Sequence, residues 1–183
     1  MSQPNTHPPF RLGFLAAVEL PGRGHVGGLL VTNHLGRPLE FQCTAPVKAN
    51  RTQEILYGPT LVPYLLCDLI GRTLLDKVGV KPQLVLVDDP RLVELRAEVD
   101  VPVAVLSLST ADADSGDTID PPLDPGTPAR AVLGRQAVAY HPSFAADAEM
   151  LEQARNRLPP DADLSEPFAR VREALRETMG AAA

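Results

Sequence analysis

Two adjacent carboxylates, Asp88 and Asp89, close a short apolar run, Leu84 to Val87. Open α/β sheets take their ligands at the carboxyl ends of parallel strands. An acidic pair at such an end suits a magnesium ion or acid–base chemistry. Their plainer roles are helix cap for Asp89 and solvated strand end for Asp88. His34 (in a turn between Asn33 and Arg37) or Arg51 would complete a site if the fold brought either to the pair.

Other chemistry-bearing residues lack the spacing their chemistry needs. Gly22-Arg23-Gly24-His25-Val26-Gly27 fits the G-x-G-x-x-G pattern literally. A dinucleotide site needs those glycines to open a helix, whose N-terminus holds the pyrophosphate. Here Gly28-Leu29-Leu30-Val31-Thr32 follows, which reads as a strand, so the glycines mark a hairpin turn. Asp112, Asp114, Asp117 and Asp120 miss the calcium-loop register, because glycine falls at the fifth position, Gly116. His7, His25, His34 and His141 show no zinc-ligand spacing and no C-x-x-C accompanies them, so no metal site and no cofactor are expected. Cys43 and Cys67 sit among apolar neighbours without a basic residue to form a thiolate, and read as reduced buried thiols. No nucleophile elbow, P-loop or H-E-x-x-H appears.

Charge bears on partners. The net charge is −6, and residues 109–129 alone carry −5. No basic stripe stands out along the chain, so nucleic acid is not favoured as a partner. No apolar run is long enough to span a bilayer, and Met1 to Phe10 lack the features of a signal peptide, so a soluble cytoplasmic protein is expected. Gly36 to Tyr64 gathers mixed polar chemistry with two of the three tyrosines. Tyr and Arg are prominent at interfaces, which makes Arg51, Glu54, Tyr57 and Tyr64 a candidate contact surface.

The elements that must position these residues follow from periodicity. Phe10–Leu20, Val26–Asn33 and Leu39–Thr44 read as three strands joined by glycine-containing turns, an antiparallel meander. Asn50 with Gln53 makes a capping box for a helix over 51–57. Thr60 caps a longer helix to Lys77, with Leu61, Leu65, Leu69 and Leu74 in one stripe and Gly79 as its terminator. Leu84–Val87, a short helix opened by Asp89-Pro90, and Val101–Leu108 form a βαβ unit. The five aspartates of 109–129 predict a disordered acidic loop. Ala131–Tyr140 reads as one strand interrupted by Gly134. Helices capped by Ser143 and Ser165 close the chain, the last with Phe168, Val171, Leu175 and Met179 aligned.

The expected architecture is mixed α/β: a three-stranded antiparallel meander and a βαβ unit in one mixed sheet, with a C-terminal αα-hairpin. Residues 1–9 are expected as a flexible tail, 10–141 as the domain, and 142–183 as a helical hairpin packed on the domain or on a partner. Without a catalytic constellation, the leading expectation is a non-enzymatic protein-interaction or accessory module. It would bind a protein partner or self-associate through Arg51, Glu54, Tyr57, Tyr64, Phe168 and Leu175. The alternatives are a small metal-dependent hydrolase or nucleotide-handling enzyme with its site near Asp88, and a small-ligand sensor.

Overall fold

The computed structural model describes residues 9–106 and 128–181. The acidic stretch expected as a loop lies outside these residues, apart from Pro128 and Ala129. A single seven-stranded sheet in the order β3-β2-β1-β4-β5-β7-β6 organises the chain. The meander is β1 (Arg11–Leu20), β2 (Gly24–Asn33) and β3 (Pro38–Cys43). Next come β4 (Leu84–Val87) and β5 (Val103–Leu106), parallel to each other and, through β4, to β1. The sheet is therefore mixed, with its parallel strands at the centre.

Burial explains that placement. All four β4 side chains are fully buried, because helices cover both faces. Leu84 and Leu86 point into one core with Phe14, Phe168 and Leu175, while Val85 and Val87 point into the other with Leu66, Ile70 and Leu92. Each such side chain contributes about 1.5–3 kcal/mol, so β4 is a rigid support for whatever follows Val87.

Between β3 and β4 runs helical chain: α1 (Arg51–Tyr57), a 3₁₀ turn (Gly58–Thr60), α2 (Leu61–Tyr64), a π-helical stretch (Leu65–Arg72) and α3 (Thr73–Lys77). The Asn50–Gln53 capping box is present in both directions. Two expectations fail here. Thr60 does not cap the longer helix; its hydroxyl donates to the Tyr57 carbonyl instead. Gly79 is not a left-handed terminator; Val78, in extended backbone, closes the helix and its N–H donates to the Leu74 carbonyl. The wider π turns also rotate the apolar stripe. Leu65, Leu66, Ile70 and Leu74 are buried, while Leu61 and Leu69 are only half-buried.

Residues Pro90–Ala97 form a 3₁₀ helix, capped by Asp89 as expected. Past β5 the sheet is completed by a hairpin, β6 (Ala129–Leu133) and β7 (Gln136–Tyr140). A single strand over 131–140 is thus corrected. Gly134, at φ +56°, makes a turn rather than an interruption, and the two halves pair antiparallel. α4 (Asp147–Arg157) begins later than Ser143, and no side chain caps it. Phe144 instead sits before the helix, beneath the Arg96 guanidinium 4.1 Å from its ring centroid. α5 (Glu166–Ala181) lies on β1 and β2, its Phe168 ring edge-on to Phe14 at 5.4 Å. Among the described residues no helix is long and apolar enough to cross a membrane.

Candidate functional site

The parallel strands end together at one rim of the sheet. Leu15 of β1 stands level with Val87 of β4, and Val87 with Val105 of β5. Beyond that level β1 continues into its hairpin with β2, which overhangs the rim and walls it on one side. At that tip the Arg23 N–H donates to the Leu20 carbonyl, closing a tight turn. Gly24 is required there. Its φ is +90°, and a Cβ would meet the Val47 carbonyl oxygen at 2.1 Å. That close approach lets His25 and Val47 exchange backbone hydrogen bonds at 2.8 and 2.7 Å, and lets the Lys48 ammonium donate to the Gly22 carbonyl at 3.0 Å. The tip that holds Arg23 and Lys48 stands at least four strand residues, about 13 Å, beyond the level of Asp88, while His25, nearer the rim, acts electrostatically on Asp89.

Side-chain alternation along β4 separates the two aspartates. Asp88 continues the row of Leu84 and Leu86 toward α5, where Arg172 pairs with it through Nη2. The Asp88 side chain is only 5% exposed and that of Arg172 40%. Burial pushes the Asp88 carboxyl above the ordinary carboxylate range, and Arg172 offsets this only in part. Asp88 is therefore not the solvated strand end that its position in the sequence suggested.

Asp89 turns the other way. It accepts the Arg91 backbone N–H at 2.9 Å and is forked by the Arg91 side chain, from Nε at 3.0 Å and Nη2 at 2.6 Å. Those hydrogen bonds hold its carboxyl below the usual range, with His25 adding to the effect. Glu19 lies near enough to Arg91 to act on it electrostatically. Cys67 stands behind this group, its Sγ 3.5 Å from the Arg91 carbonyl oxygen. Burial pushes that thiol up to about 12, so it is no nucleophile at neutral pH.

The remaining expected residues do not converge here. His34 follows Asn33, which pairs with Arg11 at the start of β1. It is thus at the opposite rim, five strand residues or roughly 16 Å from the level of Asp88. There it lines a cleft of about 270 Å³ with Phe14, Leu164 and Arg170. Arg51 stays on exposed α1, paired with Glu54 at 3.1 Å. Tyr57 and Tyr64 stack on each other, centroids 4.6 Å apart. Phe168 and Leu175, expected at a partner interface, are 2% exposed inside this chain's own core. His141 sits at the far end of β7, 3.4 Å from Glu94.

Two contributors were missed from sequence. Arg172 follows Val171 and precedes Leu175, so it borders the buried stripe of α5 and has to reach the sheet. His25 was read only as a residue within a turn. On β1 the residues next after Leu15 are Ala16 and Ala17, so no acidic side chain of β1 joins Asp88 there. Among the described residues no three His, Cys, Asp or Glu side chains gather to hold a metal ion.

No family model matches the sequence, and no curated protein does. Solved structures do share the fold. The chain is similar in fold to endonuclease V. The Ciona intestinalis enzyme, in complex with a 24mer DNA containing an inosine followed by a ribo-adenosine, is 12% identical with a TM-score of 0.50, covering 93% of this chain and 87% of that one. Its D234N form, bound to a 23mer DNA, gives the same values. Human endonuclease V is 19% identical over 97% of this chain and 89% of that one, at a TM-score of 0.46. At such identities the likeness is one of fold. It nevertheless corrects two expectations. The leading reading, a non-enzymatic protein-interaction module, gives way to the nucleotide-handling alternative, because the chains that share this fold are nucleases. The expectation that nucleic acid is not a partner falls as well, because the Ciona structures hold DNA.

Proposed function

We propose that this chain is a nucleotide-handling enzyme that takes nucleic acid across the carboxyl ends of β1, β4 and β5, with Asp88 as its working carboxylate. One observation carries this: a nearly buried carboxylate stands at the end of the central parallel strand, on a fold shared with a DNA-bound nuclease. Burial raises the proton affinity of Asp88, which suits a group that accepts a proton from an attacking water. Arg91 and Arg172, each paired with an aspartate, stand at this strand end, and Arg23 and Lys48 are held by the hairpin that projects past it, so guanidinium and ammonium groups flank the path that phosphates would follow. Both cysteines are free, and we place the protein in a reducing, cytoplasmic compartment.

The test is cleavage of end-labelled single- and double-stranded DNA and RNA, with and without inosine and with and without magnesium. Wild type should cut at least one of these substrates. Asp88→Asn should abolish cutting while retaining oligonucleotide binding, measured by fluorescence anisotropy, and the thermal transition. Cutting that survives Asp88→Asn, or wild type that neither binds nor cuts any substrate, sinks the reading.

A further inference from the structure

The ion pair at Asp88 joins a nearly buried carboxylate to a single arginine contact, whereas the single-contact pairs Arg51–Glu54, Arg72–Glu98 and Arg135–Asp163 involve carboxylates exposed by 41–47%. Arg91 grips Asp89 with both Nε and Nη2, as do Arg96 with Asp147 and Arg170 with Glu166. Arg172 reaches Asp88 through Nη2 alone, and among the described residues its Nε and Nη1 make no hydrogen bond. A guanidinium carries five N–H donors in a planar fork suited to carboxylate and phosphate. Most of the Arg172 fork is thus unspent, and its side chain is 40% exposed where that of Asp88 is 5%. An anion arriving from solvent meets the guanidinium before the carboxylate.

We propose that Arg172 is a phosphate-binding residue that Asp88 holds in place: when a nucleic-acid strand binds, its phosphate takes the guanidinium and Asp88 is released from its counter-ion. This rests on the functional reading above and adds to it the residue that couples binding to the carboxylate. Substrate would then both dock on the cation and unmask the base. In the free protein Asp88 is an internal competitor for the phosphate.

That competition makes the inference testable. Anisotropy of a labelled oligonucleotide would be followed against salt for wild type, Arg172→Ala, Arg172→Lys, Asp88→Asn and the Arg172→Ala/Asp88→Asn double variant. Loss of one charge-assisted contact should weaken binding about tenfold in Arg172→Ala and flatten the slope of log affinity against log salt by about 0.7 for a single strand. Arg172→Lys should keep the slope and recover part of the affinity. Asp88→Asn, which removes the competitor, should bind more tightly than wild type. The double variant leaves no unpaired buried charge, so it carries the Arg172 arm if the single variant unfolds.

A merely structural Arg172 predicts slopes and affinities equal to wild type in Asp88→Asn and in the double variant, and that result overturns the inference alone. Failure of wild type to bind any oligonucleotide overturns the functional reading and this inference with it. Inorganic phosphate competing as well, per phosphate, as the strand would assign the fork to free phosphate and overturn the strand assignment.

Discussion

Replacing Arg172 with alanine should leave Asp88 as a carboxylate with 5% of its side chain exposed and no counter-ion. If the charge stayed, the cost would approach the roughly 3–5 kcal/mol of a broken buried pair. The protein has a cheaper route, which is to keep the proton. Burial already holds the Asp88 carboxyl above its ordinary range, and Arg172 is the main influence pulling it back. Without Arg172 the folded-state pKa rises further above the unfolded value. Between the two values the native state holds a proton that the unfolded state has released. Stability therefore falls by about 1.4 kcal/mol per pH unit across that window as pH rises, and levels off above the folded pKa. The loss relative to wild type should be small at pH 5 and largest at pH 8. The chain has no Trp, so the assay is urea unfolding followed by far-ultraviolet circular dichroism at both pH values. Groups whose pKa is lowered on folding, such as Asp89 and Asp163, titrate alike in the two proteins and cancel in the difference. The Arg172→Ala/Asp88→Asn double variant should regain most of what the single variant loses at pH 8. An equal loss at pH 5 and pH 8, or a double variant no better than the single one, would refute the view that Arg172 compensates a buried charge.

Four further outcomes are expected. At pH 8 a thiol with a pKa of about 12 is ionised in only about one molecule in ten thousand, so Ellman's reagent should leave Cys67 unmodified in the native protein and react with it on unfolding. Gly27→Ala should destabilise by about 1–3 kcal/mol, since its Cβ would fall 2.0 Å from Ile70 Cγ2 at a sheet–helix contact; urea titration reads this directly. Asp147→Ala strips a 14%-exposed guanidinium of its two-point partner and should cost about 3 kcal/mol in the same titration. Asp89→Ala should cost about 1 kcal/mol through loss of the cap on Arg91 N–H, with no comparable effect on catalysis.

The sequence was most legible where one element carries its own signal. The three meander strands, the Asn50 capping box and the Asp89-Pro90 helix start all stand where period and caps put them, because alternation and capping are local physics. It was least legible where distant elements decide. Nothing before Val87 says that α5 will place Arg172 over Asp88, 84 residues away in the chain. Residues Ala131–Tyr140 read as one strand because no Asn-Gly or Asp-Gly pair marks the turn; a single Gly134 makes it instead. His34 drew notice as a histidine beside polar neighbours, while His25, hidden inside a glycine motif, is the one that reaches the acidic rim. Phe168 and Leu175 were visible as an apolar stripe, but a stripe does not say whether it faces its own sheet or a partner.

The charge pattern misled for a related physical reason. The reading against nucleic acid rested on the lack of a basic stripe along the sequence, most of the net −6 having been placed in the aspartates from Asp112 to Asp124. The rest of the chain is close to neutral, and within it the 3₁₀ helix and α5 bring Arg91 and Arg172 to the rim where the parallel strands end, with Arg23 and Lys48 on the hairpin beyond it. Attraction at a Debye length of about 8 Å is decided by such local groups rather than by the sum. Because Arg91 and Arg172 are each engaged with a carboxylate, the rim offers a strand few free cations at rest. Binding should therefore be weak and shallow in its salt dependence until one of those pairs exchanges. Asp89 is held by a two-point fork and Asp88 by a single contact, so the exchange belongs at Asp88, the carboxylate that a reaction would need set free.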